Sequence, residues 1–307
     1  MLEIESWTFL ESWEDFLPWR SEFHRQVVLY SDASPFAWGA VLSPDVQSVA
    51  IRDYWPSSQS TLHINCKEIL ALCNALESLS STVNNCWVDV FTDSQVLLKA
   101  WHCQGTKSQS LIASLKHLFG VIFASNIHLN LFHIPSKLNL ADPPSRTLSL
   151  QDSKLSPHVW ARLQSAFGGP LGHSVDLIAL PSNVQSSMSG SALPFFSPYP
   201  VPGSSGTNVF AQRPPLHRDL FANPYAFPPI ILIPDLLRFL SNSGIQCTLV
   251  IPDVRPCRFW WAILKQHESF ILAEKGSKGI VLPPTTSGYS PTWALPWDLW
   301  AFRFHPM

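Results

Sequence analysis

In the stretch LYSDASPFAWGAVL, Leu29 to Leu42, an acid stands inside what otherwise reads as a buried strand. Val27, Val28, Leu29 and Tyr30 form an apolar run of strand length, Asp32 falls within its continuation, and a small-residue turn leads into a second apolar run, Trp38 to Leu42. The pattern predicts a hairpin whose floor presents one carboxylate. A lone aspartate here is also how a turn begins.

Three later segments each repeat the anomaly. In HINCKEILALCNALESL, Ile69, Leu72, Ala75, Leu76 and Leu79 recur at helical spacing, with Glu68 expected in the first turn, where an acid also complements the helix dipole. In CWVDVFTDSQVLLKAW, Trp87 to Thr92 alternates as a strand, Asp93 stands at its carboxyl end, and a helix begins near Val96. An N-cap would account for that acid equally well. In IHLNLFHIPSKLNLADPPSR, a strand from Ile127 to Ile134 gives way to a loop and then to Asp142, in a segment expected to end quickly at Pro143 and Pro144.

The four segments SDASPFAWGAVL, HINCKEILAL, VFTDSQ and NLADPPSR, in this order and at these intervals, resemble the ribonuclease H domain of DIRS-type, tyrosine-recombinase retrotransposons, over about residues 24 to 150. The resemblance implies an α/β fold with a ribonuclease H-like mixed five-stranded sheet. It also implies a catalytic and metal-binding set of Asp32, Glu68, Asp93 and Asp142. Two magnesium ions, with manganese as a substitute, would be held by those acids, Asp32 bridging them. The implied reaction is endonucleolytic hydrolysis of the RNA strand of RNA–DNA hybrids during reverse transcription. Such chemistry needs an activated water and a stabilised leaving oxygen, which two divalent ions roughly 3.5–4 Å apart supply. Magnesium favours hard oxygen ligands, so carboxylates suit it better than imidazole or thiolate. Without metal, four converging carboxylates repel and titrate together.

A substrate rim is expected from Ser94 and Gln95, from Gly105, Thr106 and Lys107 in the turn CQGTKSQS, and from Lys137 and Asn139 in the loop before the last acid. Lysine, hydroxyl and amide groups are common phosphate contacts. That turn also reads as a plain solvated connection within the helical stretch Gln95 to Ala124. The family's loop often carries a histidine; here Pro135 to Ala141 has none, and His133 at the strand end also reads as a half-buried strand residue. TDSQ stands where the family more often has TDN.

The net charge of −2, with only 14% charged residues, gives no general attraction to polyanions, so nucleic-acid binding has to come from local groups and should weaken with salt. Six cysteines without a CxxC pair, and no signal peptide, point to an intracellular setting, cytoplasmic or nuclear. No apolar run reaches the length of a membrane span. A chain of 307 residues, 46% hydrophobic, has material for two cores.

Residues 1–24, acidic and with Trp7, Trp13 and Trp19, read as a linker remnant from an upstream reverse transcriptase, or as a segment packed on the first domain, 25–150. No YxDD-like polymerase motif is present. Residues 151–173 read as a helical linker with a helix over Ser156 to Phe167, followed by a Pro-, Ser- and Gly-rich stretch to about 225 entered by the strand Val175 to Leu180. Further on come a helix from Pro234 to Ser241, a buried strand Cys247 to Ile251 and an aromatic helix Phe259 to Lys265, and the apolar runs Val175–Leu180, Ile230–Ile233 and Cys247–Ile251 are expected to line a sheet.

Over residues 157 to 270, VDLIALPSN and AFPPI resemble the motifs of bacteriophage adenine-N6 methyltransferases. Phe227 and Ile230, however, stand where those enzymes have an acidic or amide side chain and an aromatic ring. A phenyl group accepts no hydrogen bond from a target amine. A smaller, loop-rich, degenerate Rossmann-like domain over 174–270, without transferase activity, is therefore expected, with 271–307 as a C-terminal tail. A second functional reading stays open, in which the chain is a catalytically silent retroelement relic that binds nucleic acid or protein.

Overall fold

The computed structural model describes residues 25–43, 48–213 and 219–306. The expected linker over 1–24 lies outside them. In β1 (Gln26–Ala33), Val27 and Leu29 face the core while Val28 and Tyr30 take the other face, as strand alternation requires. β2 (Ala37–Ser43) folds back antiparallel, and β3 (Val49–Tyr54) pairs antiparallel with β2. β4 (Trp87–Thr92) and β5 (His128–His133) are parallel additions on the far side of β1, giving the sheet order β3-β2-β1-β4-β5. This is the mixed five-stranded sheet expected of the first domain.

Parallel pairing needs crossovers, and the helices supply them. Helix α1 (Ile64–Ser78) starts at His63, whose Nδ1 accepts from the Asn65 amide at 3.2 Å. It links β3 to β4. Helices α2 (Gln95–His102) and α3 (Gln109–Ala124) link β4 to β5, so the stretch read as helical over 95–124 is two helices joined by a turn. Leu72 and Leu76 of α1, Leu97 of α2 and Leu118 of α3 close over Leu29, Ile51, Val88 and Val90. Burial of each such side chain stabilises the fold by about 1.5–3 kcal/mol relative to exposure. The opposite face carries a stacked aromatic row across three strands, Tyr30 on Phe91 at 5.2 Å and Phe91 on Phe132 at 5.4 Å.

Pro143 and Pro144 do not end the segment after Asp142. They begin α4 (Asp142–Arg146), where a first-turn proline lacks only an amide the helix would leave unpaired.

The rest of the chain builds a second lobe. β6 (Lys154–Leu155) and α5 (Pro157–Phe167) fall in the segment expected to be a linker, yet they belong to this lobe's core, where Val159, Trp160, Leu163 and Phe167 pack with Leu272, Val281, Leu295 and Leu299. β7 (Val175–Asp176) is a strand for two residues only. Leu177, Ala179 and Leu180 are buried, but their backbone pairs irregularly, with Leu177 donating to the Tyr225 carbonyl and Ala179 to that of Phe196. Next to β7 lies β8 (Pro224–Ala226), a segment not read as a strand. The run Ile230–Ile233, expected in the sheet, is instead a 3-10 turn leading into α6 (Ile233–Ser243), because Pro228 and Pro229 precede it.

β9 (Cys247–Pro252), α7 (Phe259–Leu264), β10 (Glu268–Ala273), β11 (Val281–Leu282) and β12 (Leu299–Phe304) complete the lobe. Its main sheet runs β10-β12-β9-β8-β7, with β7, β8 and β9 parallel and β12 antiparallel to both neighbours. The expected tail over 271–307 is thus corrected, since it supplies a strand within the sheet. The lobe is also not the smaller one, because it draws on chain from Lys154 to Phe304.

Candidate active site

β1 and β4 run side by side with Tyr30 opposite Phe91, so Asp32 and Asp93, each two residues further on, emerge on one face at the carboxyl ends of adjacent strands. Glu68 reaches the same point from α1. It sits in the second turn, not the first, and so does not serve the helix dipole as one reading of the sequence had it. Carboxylate oxygens of Asp32, Glu68 and Asp93 lie within 4.8 Å of one another.

Burial raises the Asp32 carboxyl to about 6, aided by repulsion from Asp93 and Asp142 and opposed by a hydrogen bond from Ser145. Glu68 goes further, to about 9, through burial first and the charges of Asp32 and Asp93 second. Its Oε2 is buried and finds no hydrogen-bond partner among the described residues. An orphaned carboxylate oxygen beside two more acids fits a hard divalent cation.

Asp142 heads α4 and is not in the three-residue cluster. Its Oδ1 accepts from Arg146 Nε at 2.6 Å, an i,i+4 pair within the helix. Ser145, fully buried, donates to Asp32 Oδ2, and Ser136 donates to Asp93 Oδ2. Sequence reasoning passed over Ser136, Ser145 and Arg146. Only the position of the last two inside the quoted NLADPPSR segment could have pointed to them.

The expected substrate rim divides. Ser94 caps α2 by accepting from the Leu97 amide at 3.3 Å, and Gln95 is the exposed first residue of that helix. Gly105, Thr106 and Lys107 lie in the α2–α3 turn, where Thr106 accepts from the Ser108 amide at 3.3 Å and Lys107 is exposed. Lys137 is exposed on the loop before α4. Asn139 does not fit that role. It is 3% exposed, donating to the Ser31 carbonyl and accepting from the Ala141 amide, both at 3.1 Å, so its amide is spent on the fold.

A separate cavity lies away from these acids. About 580 Å³ in the second lobe is lined by Phe227, Pro228, Pro229, Arg258, Trp293 and Trp297, among others, and by none of the four acids.

Sheet order and strand polarity define a mixed α/β lobe whose two central strands and first helix bring three acids together. Residues 22–118, which hold Asp32, Glu68 and Asp93 but not Asp142, match the family model described as the RNase H-like domain found in reverse transcriptase. No curated protein matches the chain. Among solved structures, it is similar to LC11-RNase H1 in complex with an RNA/DNA hybrid, at 20% identity, covering 38% of this chain and 92% of that one with a TM-score of 0.34. RNase H1 from the halophilic archaeon Halobacterium salinarum gives 24% identity, 39% and 93% coverage and 0.34. The prototype foamy virus protease-reverse transcriptase gives 12%, 50% and 22%, and 0.30.

Proposed function

We propose that this chain is a metal-dependent ribonuclease H that hydrolyses the RNA strand of RNA–DNA hybrids during reverse transcription, alongside a reverse transcriptase. The observation that carries this reading is the convergence of Asp32, Glu68 and Asp93 within 4.8 Å, with Glu68 Oε2 buried and unpartnered. The family match over residues 22–118 supports it. Asp32, Glu68 and Asp93 would hold magnesium, with manganese as a substitute, and Asp142 stands beside them on α4.

Divalent ions bound there would supply Lewis-acid polarisation of the phosphate and a water nucleophilic near neutral pH. The chain contributes hard oxygen donors fixed on two strands and a helix. Ser136 and Ser145 each donate a hydrogen bond to one of those carboxylates. Exposed Lys107 and Lys137, with the Thr106 hydroxyl, are suited to phosphates of the hybrid, whose shape and 2′-hydroxyls would provide selectivity, whereas the Gly105 amide is spent on the Ala100 carbonyl at 3.0 Å. An intracellular setting is proposed with this role.

The test is a labelled hybrid incubated with the full chain. Cleavage of its RNA strand in magnesium, none in chelator, and no comparable cutting of single-stranded RNA are expected. Asp32→Asn and Asp93→Asn should each lower the rate more than about 100-fold, since even outer-shell partners of metal ligands cost 10–100-fold. Parental rates in either variant would sink the assignment. A hybrid bound but uncut in magnesium would favour the silent binding module.

For the second lobe we propose a scaffold related to adenine-N6 methyltransferases that transfers no methyl group. Phe227 offers no acceptor to a target amine, and an unpaired buried donor costs about 1–3 kcal/mol. Calorimetric titration should find no S-adenosylmethionine binding; micromolar affinity followed by methylation of DNA adenine would overturn this.

A further inference from the structure

We propose that Ser145 is a positioning residue that fixes which oxygen of Asp32 is offered to a divalent cation. The inference rests on the metal reading of the three acids. A carboxylate turns about a broad, roughly two-fold terminal torsion and can present either oxygen. Here the symmetry is broken. The Ser145 hydroxyl donates to Asp32 Oδ2, while Oδ1 receives no side-chain hydrogen bond from the described residues.

The serine is itself held by the strands that carry Asp32. Gly39 faces Asp32 across the β1–β2 pair. A Cβ on Gly39 would come 2.5 Å from the Ser145 amide nitrogen and 3.0 Å from both the Ala141 oxygen and the Pro144 carbonyl carbon, all backbone atoms. Helix α4 therefore rests on β2 at a point open only because residue 39 has no side chain. On the other flank, the buried Asn139 amide ties the chain entering α4 to the Ser31 carbonyl, one residue before Asp32. Ser145 Oγ also lies 2.9 Å from the Asp142 carbonyl oxygen, a second acceptor for the same proton, so the hydroxyl is held between the two. Ser136, by contrast, bonds Asp93 from an exposed position and lacks such an anchorage.

Calorimetric titration of the full chain with Mn2+, away from any nucleic acid, tests this. Ser145→Ala should bind Mn2+ about 10–100-fold more weakly than the parental protein, the usual effect of losing an outer-shell partner. Ser145→Cys, close in size and a weak donor, should fall between the two and keep the metal-free melting temperature. A serine that only supports the fold would lower the metal-free melting temperature of Ser145→Ala yet leave the Mn2+ affinity of both variants unchanged, and that overturns the proposal. Should the alanine variant not fold, the cysteine variant decides alone, parental affinity counting against the role. A parental protein that binds no Mn2+ overturns the metal reading, and this inference with it.

Discussion

Asp32 and Glu68 keep their carboxyls above the usual range first because they are buried and then because other acids surround them. Removing one charge should therefore relieve the rest. Asp32→Asn or Asp93→Asn is expected to raise the metal-free melting temperature, by about 2–4 °C per kcal/mol of repulsion relieved, and to remove the further rise that magnesium gives the parental protein. Thermal melts with and without magnesium check both halves; an unchanged magnesium-induced rise in Asp93→Asn would exclude that residue as a ligand. Such acids were legible in the sequence because a carboxylate inside an apolar run is anomalous. Ser145 was not, because a serine between proline and arginine looks like any turn residue, and its bond to Asp32 spans most of the lobe in sequence.

Strands and helices of the first lobe follow their hydrophobic period closely. Strand β4 was read with its observed bounds, β5 within one residue at each end, and α1 by its apolar stripe. The second lobe was less legible because apolar character reports burial and not pairing: Leu177, Ala179 and Leu180 are core residues outside any strand. Asn139 was misjudged for a related reason, since an asparagine in a polar loop does not reveal that it will be buried. Asn139→Ala leaves the Ser31 carbonyl and the Ala141 amide without their partner, so it should cost about 1–3 kcal/mol in urea unfolding. A loss below about 0.5 kcal/mol, the range of ordinary surface changes, would mean that α4 is anchored by other contacts.

The lobes meet along β3, the edge strand of the first sheet. Asp53 accepts from the Ser182 amide at 3.2 Å and the Tyr54 amide at 2.8 Å; Arg52 pairs with Asp152 at 2.8 Å; the Tyr199 hydroxyl donates to the Arg52 carbonyl at 2.8 Å. Burial lifts the Asp53 carboxyl from 3.8 to about 7, with Asp152 adding repulsion. The native state thus holds a proton that the unfolded chain gives up near 3.8. Its stabilising effect is complete below that value and is lost as pH rises through about 7. Protection factors of the Ser182 and Tyr54 amides, corrected for the intrinsic rise of exchange with pH, should fall between about pH 4 and 7, and Asp53→Asn should flatten that dependence. A parental seam equally protected across this range would refute it. Nothing local in the sequence marks this junction, because its partners lie far apart along the chain.

Strand β12 enters between β9 and β10, both made before it. During synthesis the first sheet can close once β5 has emerged. The second must wait with a gap at its middle about two strand spacings, or ~10 Å, wide until residues 299–304 arrive. Until then β9 and β10 each expose an unpaired edge, the kind of surface on which nascent chains associate. Translation that stops anywhere between β10 and β12 would thus release a closed first sheet fastened to an open, adhesive one, which makes residues 299–304 a checkpoint on whether this polypeptide stays in solution.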